Sequence, residues 1–173
     1  LQREANENIW VQPGWFNTGD MGRQDAEGYF WLTGRIKELI IRGGHNIDPA
    51  VIENALVLHD AVAQVAAVGK PDSYAGEVPV AFVVIKPGMT CSPSELIDFA
   101  KAHIAERAAV PKDIYVIEAL PLTAVGKIFK PALKENATKR AIEEALLHFG
   151  HDLNISVEPD KTYGTVAVID VPS

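Results

Sequence analysis

The chain has 173 residues, with 16 lysines and arginines against 23 aspartates and glutamates, a formal net charge of −7. At 47% apolar and 23% charged residues it has the balance of a globular chain with a real core, which excludes a disordered segment, a coiled coil and a collagen-like fibre. An acidic chain does not gather on phosphate backbones through bulk charge, so nucleic acid is not an expected partner, and the longest apolar run (Val78 to Ile85) is far short of the roughly 20 residues of a spanning helix.

The first 36 residues are rich in turns and aromatics, and Asp25-Ala26-Glu27-Gly28 before the β-prone Tyr29 to Leu32 predicts a hairpin around residues 20–33. Leu39-Ile40-Ile41 reads as a short strand, broken by Gly43-Gly44 and followed by a second at His45 to Ile47. Asp48 as cap and Pro49 at the first helical position open a helix that buries Ile52, Ala55 and Leu56. Val62 to Val68 and Val78 to Ile85 are apolar on both alternating faces and read as central strands covered by helices, joined by a loop over residues 70–77.

Ser92-Pro93-Ser94-Glu95 is a capping box that predicts a second helix to about Arg107, with Leu96, Phe99, Ala100 and Ile104 inward. After Pro111, Ile114 to Ile117 reads as a third strand, and Pro121 to Phe129 as a loop or short strand. Pro131 opens a last helix that Gly150 ends; beyond it lies a tail with the strand-like run Thr165 to Val171. The sum is an α+β fold, a small sheet flanked by three helices and preceded by a β-hairpin.

A single cysteine, Cys91, permits no internal disulfide, and no basic-then-apolar leader precedes the fold, so a cytoplasmic setting is expected. The start at Leu1 rather than methionine suggests a piece of a longer chain. No histidine pair has metal-site spacing: His148 and His151 straddle a helix end without a thiolate nearby, and His45, His59 and His103 are isolated. Gly126-Lys127 ends like a phosphate-binding loop, but Pro121 stands where that motif needs its first glycine.

One at a time these motifs are weak; in order they are not. Gly14-Trp15-Phe16-Asn17-Thr18-Gly19-Asp20 precedes Gly34-Arg35-Ile36-Lys37-Glu38, then Arg42-Gly43-Gly44-His45-Asn46-Ile47-Asp48-Pro49, and finally Pro121-Leu122-Thr123-Ala124-Val125-Gly126-Lys127-Ile128. Over about residues 14–150 this succession closely resembles the C-terminal part of the adenylate-forming enzymes, most of all the acyl- and aryl-CoA synthetases.

The resemblance implies an acid–thiol ligase that joins a carboxylic acid to ATP, with Mg2+, as an acyl-adenylate and then passes the acyl group to CoA. It assigns Asp20 to the ribose, where a carboxylate can accept from two vicinal hydroxyls, and Arg35 to the nucleotide. It assigns Lys127 to the attacking carboxylate and the α-phosphate, where an ammonium stabilises charge as it redistributes. Lys37 matches the hinge about which a small lid domain turns between the half-reactions. Arg42, Gly43 and Gly44 match the segment that meets the pantetheine arm of CoA, because absent side chains let backbone approach a narrow ligand. His45 departs from the glutamate common at its position.

By the same resemblance, residues 1–36 are the edge of a large N-terminal domain, 37–150 the lid, and 151–173 a tail. That N-terminal domain would carry the phosphate loop and acid pocket and would be the lid's partner. An adenylation domain serving a carrier protein is the alternative, as is a non-catalytic module that grips pantetheine.

Overall fold

The computed structural model describes residues 10–147, 154–160, 162 and 164–170. Two antiparallel ribbons come first: β1 (Trp10–Gln12) with β2 (Trp15–Phe16), and β3 (Asp20–Gln24) with β4 (Phe30–Arg35). The second is the hairpin expected around residues 20–33. Asp25 closes it, its Oδ2 accepting the Trp31 indole N–H at 2.7 Å and its Oδ1 the N–H groups of Tyr29 and Glu27 at 2.9 and 3.0 Å. A 3-10 turn, Ile36–Glu38, then leads into β5 (Ile40–Arg42), which pairs with β6 (His45–Ile47).

Helix α1 (Pro49–Leu56) starts as its sequence dictates, with the Asp48 carboxylate accepting the Ala50 N–H at 2.9 Å. Strands β7 (Val62–Asp72) and β8 (Gly76–Ile85) form a long antiparallel pair. The expected loop over 70–77 is thereby corrected to Ser73–Ala75 alone. Asp72 Oδ1 accepts the N–H groups of Ala75 and Tyr74 at 2.9 and 3.0 Å, which closes the turn tightly and leaves residues 70–72 in the ladder. Helix α2 (Pro93–His103) has the capping box but ends four residues earlier than expected, because Ile104 is extended and buries its side chain; Arg107–Ala109 forms a separate 3-10 turn.

Strand β9 (Asp113–Val116) lies parallel to β8, giving a five-stranded sheet in which β8 is central. Helix α3 (Lys130–Leu146) follows, and β10 (Asn154–Asp160) with β11 (Gly164–Asp170) forms a last ribbon. The tail thus contains a strand, β10, that was not anticipated; its Ile155 is buried and β10 packs on α3. Gly150 and Val171 lie outside the described residues.

Alternation along the two long strands divides the core. Val65, Ala67, Ala81 and Val83 face α1 and α2 with Ile52, Leu56, Leu96 and Ala100; Ala66, Val68, Val80 and Phe82 face α3 with Leu133 and Ala137. A sheet covered on both faces explains why both strands read as continuously apolar. No helix among the described residues is long and apolar enough to cross a membrane.

Candidate functional site

Asp20 and Arg35 stand opposite each other in the β3–β4 register, and Arg35 Nε meets Asp20 Oδ1 at 3.2 Å. The loop before them is held by its own side chains: Gly19 N–H donates to Asn17 Oδ1 at 2.9 Å and Asp20 N–H to Thr18 Oγ1 at 3.1 Å. The pair uses one of the five guanidinium donors and leaves carboxylate lone pairs available, so both groups retain capacity for a ligand. Arg35 is 64% exposed, and a pair so solvated contributes about 0–1 kcal/mol to stability.

Lys37 sits exposed in the 3-10 turn, with no ion pair among the described residues. Beside it a cleft of about 730 Å³ runs between this turn and α3, lined among others by Asn17, Arg35, Lys37, Gly69, Lys130 and Lys134. Of the residues assigned by motif, Arg35 and Lys37 line this cleft; Asp20, Arg42, Gly43, Gly44 and Lys127 do not.

Gly43 and Gly44 form the two-residue connection between β5 and β6, with φ of +53° and +87°. Such paired positive φ values suit a tight hairpin turn and are strained for residues with a Cβ. Neither glycine has an atom within 4 Å of where a Cβ would stand, so the turn presents bare backbone to open space. It is anchored at its base, where Gly43 N–H donates to the Ala75 carbonyl at 2.8 Å and Arg42 Nη1 to the Ala108 carbonyl at 2.8 Å. His45 reaches Glu106 at 3.6 Å.

Lys127 lies on a small hairpin of its own. The Leu122–Ile128 bridge, Thr123 N–H to the Lys127 carbonyl at 2.7 Å, Lys127 N–H to Thr123 Oγ1 at 3.1 Å and Phe129 N–H to the Pro121 carbonyl at 2.8 Å close it. The expected loop or short strand is a stiff turn that holds an exposed lysine with no ion pair among the described residues.

Three lysines escaped the sequence reading. Lys130 Nζ meets Glu53 at 2.9 Å and Glu38 at 3.0 Å, and Lys134 Nζ meets Glu77 at 2.9 Å. Burial pulls the Lys130 ammonium down in pKa, but Glu53 and Glu38 outweigh it and hold the group above its ordinary value. Lys70, 4% exposed, donates to Asp113 Oδ2 at 2.6 Å and to Glu144 at 2.9 Å, linking β7, β9 and α3. The spacing of Lys130 and Lys134 on one helix face is legible in sequence, but their carboxylate partners are not.

Among the histidines, His59 packs edge-on to Phe99 and His103 stacks on the same ring; His148 and His151 lie outside the described residues. Among the described residues no three His, Cys, Asp or Glu side chains converge to hold a metal.

The fold is that of the C-terminal domain of the adenylate-forming enzymes, and residues 51–127 match the AMP-binding enzyme C-terminal domain. The chain is 50% identical over 171 residues to the marinolic acid–CoA ligase of Pseudoalteromonas sp. (strain SANK 73390), covering 98% of this chain and 26% of that protein. It is 44% identical over 129 residues to the long-chain-fatty-acid–CoA ligase of Bacillus subtilis (strain 168), covering 75% of this chain and 23% of that one. ATP-bound MatB from Rhodopseudomonas palustris superposes with a TM-score of 0.72 at 30% identity, over 78% of this chain and 27% of that one. The chain therefore spans about a quarter of the length of the curated relatives it matches.

Proposed function

We propose that this chain is the mobile lid, with the adjoining edge of the larger domain, of an ATP-dependent acyl-CoA ligase. The reaction joins a carboxylic acid, MgATP and CoA into acyl-CoA, AMP and pyrophosphate through an acyl-adenylate, in the cytoplasm. Residues 1–36 belong to the larger domain, 37–150 to the lid, and 151–173 follow it. A magnesium ion would enter with the nucleotide and neutralise phosphate charge there; no described residue of this chain is assigned to it.

The carrying observation is the Lys127 hairpin. A cation needed for chemistry must be stiffly held at its backbone and unspent on a carboxylate, and Lys127 is both. In the first half-reaction its ammonium lies between the substrate carboxylate and the α-phosphate, stabilising negative charge as the new P–O bond forms and pyrophosphate leaves. Asp20 accepts the ribose hydroxyls; Arg35, already at 3.2 Å, orients that carboxylate and donates to the nucleotide. Rotation about Lys37 then withdraws Lys127 and brings the Gly43–Gly44 turn and Arg42 to the pantetheine arm, so that the thiol can displace AMP from the acyl carbon. The exposed aromatics of the first ribbons, Trp10, Trp15, Phe30 and Trp31 among them, supply a surface for the rest of the larger domain.

The test uses the complete ligase. Lys127→Ala should lower ATP–pyrophosphate exchange by on the order of 10²–10³-fold, the scale of one preorganised charge-stabilising donor, while CoA transfer from supplied acyl-adenylate persists. Equal loss in both half-reactions, or in neither, overturns the reading.

A further inference from the structure

Lys130 stands three residues beyond Lys127, at the first position of α3. The helix macrodipole disfavours a cation there, so local structure gives no reason for a lysine. Two carboxylates distant in sequence supply the reason. Glu38, in the 3-10 turn and directly after Lys37, meets Lys130 Nζ at 3.0 Å; Glu53, on α1, meets it at 2.9 Å and also accepts the Ala67 N–H at 2.9 Å. The lysine is 20% exposed, which strengthens both contacts relative to a solvated pair.

Phe129, which closes the Lys127 hairpin onto Pro121, is the residue immediately before Lys130. A displacement of Lys130 is therefore passed to the hairpin almost directly. Building on the ligase reading above, we propose that Lys130 is a positioning residue that couples the Lys127 hairpin to the hinge turn. The Glu53 contact lies within the lid and holds the base of α3 to α1. The Glu38 contact reaches the turn at which the chain pivots, so it makes the placement of Lys127 depend on the state of that turn. Only the half-reaction that uses Lys127 should feel its loss. The helix itself stays attached without Lys130, because Leu133 and Ala137 are buried and Lys134 still holds Glu77.

The experiment measures the two half-reactions separately in the complete ligase. Lys130→Met should lower ATP–pyrophosphate exchange by on the order of 10- to 100-fold, the scale of a catalytic group misplaced by about 1 Å. CoA transfer from supplied acyl-adenylate should stay within about twofold, and Lys130→Arg should restore most of the exchange. In a Lys127→Ala background, Lys130→Met should have no further effect, because there is no longer an ammonium to place. Glu38→Gln removes only the hinge contact at an exposed site; it should give the same selective loss in smaller measure, and it decides the question if Lys130→Met does not fold.

Equal loss in both half-reactions, or an effect of Lys130→Met that persists undiminished without Lys127, overturns the coupling. If Lys127→Ala abolishes exchange while Lys130→Met and Glu38→Gln leave it unchanged, the coupling fails and the ligase reading stands. If Lys127→Ala itself leaves exchange intact, the ligase reading fails and takes the coupling with it.

Discussion

The carboxylate of Glu77 lies against Gly69, so near that a Cβ on Gly69 would stand 2.5 Å from Glu77 Oε2. Gly69 is in the β7 ladder opposite Pro79 and is not among the glycines of positive φ, so the requirement here is steric rather than conformational. The same carboxylate accepts the Ile41 N–H at 3.1 Å and meets Lys134 at 2.9 Å. It thereby ties β5 to the first turns of α3, and it has little room to move without losing one of them.

Gly69→Ala should push the Glu77 carboxylate off one or both partners and lower stability by about 1–2 kcal/mol. In a Glu77→Ala background the same substitution should be close to neutral or slightly stabilising, since alanine costs less than glycine within a strand. Urea unfolding of the two single variants, the double variant and the parent gives the coupling. Additive effects would show that the approach of Glu77 does not select glycine at this position.

Lys70 bears on stability rather than catalysis. Lys70→Met leaves Asp113 and Glu144 without their cation, but at 36% and 55% exposure both carboxylates can rehydrate. The loss should therefore be about 1–3 kcal/mol, below the cost of breaking a wholly buried pair. Burial lowers the Lys70 pKa, yet its hydrogen bonds to Asp113 and Glu144 outweigh it and raise the group above its ordinary 10.5. A raised folded pKa means the contribution is fully present below the unfolded value and disappears as pH rises through the folded one. The stability gap between parent and Lys70→Met should thus stay flat from about pH 7 to about pH 10 and close only in stronger alkali. A gap that closes near neutral pH would contradict this.

Gly44 tests the other face of the proposed lid. Its φ of +87° means that Gly44→Leu strains the turn, at about 1–2 kcal/mol, although the Cβ itself meets nothing within the chain. In the complete ligase the variant should form acyl-adenylate at a near-parental rate and transfer it poorly to CoA. A melting curve within a few degrees of the parent's must accompany the kinetics, since about 1 kcal/mol shifts Tm by roughly 2–8 °C. Undiminished CoA transfer by a folded Gly44→Leu variant would remove the turn from the pantetheine path.

The expected elements held where their signals were local. Asp48-Pro49 and Ser92 to Glu95 cap α1 and α2 because a cap needs only residues within one turn of each other. The ends were less legible. Helix α2 stops at His103 because Ile104 is drawn into the core, and that core is assembled from strands elsewhere in the chain. Likewise, Lys70-Pro71-Asp72 has the composition of a loop, but Asp113 and Glu144 hold Lys70 in the ladder. Strand β10 was missed although Ile155 and Val157 alternate with Asn154, Ser156 and Glu158, because the run is short and Pro159 argues against a strand; Ile155 is buried and β10 packs on α3.

By itself the sequence determined the class of fold, through two doubly apolar strands and three capped or proline-opened helices, and it named the candidate site, through motifs whose order is the signal. The fold was legible because turns, caps and alternation act over a few residues, whereas the site was named only through the family resemblance that those motifs carry. Only the tertiary structure decided that Arg35 rests on Asp20, that the Glu77 carboxylate lies against Gly69, and that Lys130 gathers Glu38 and Glu53. Charges find their partners by proximity in space, and no periodicity in the chain records which carboxylate a lysine will meet once the sheet and its helices have closed.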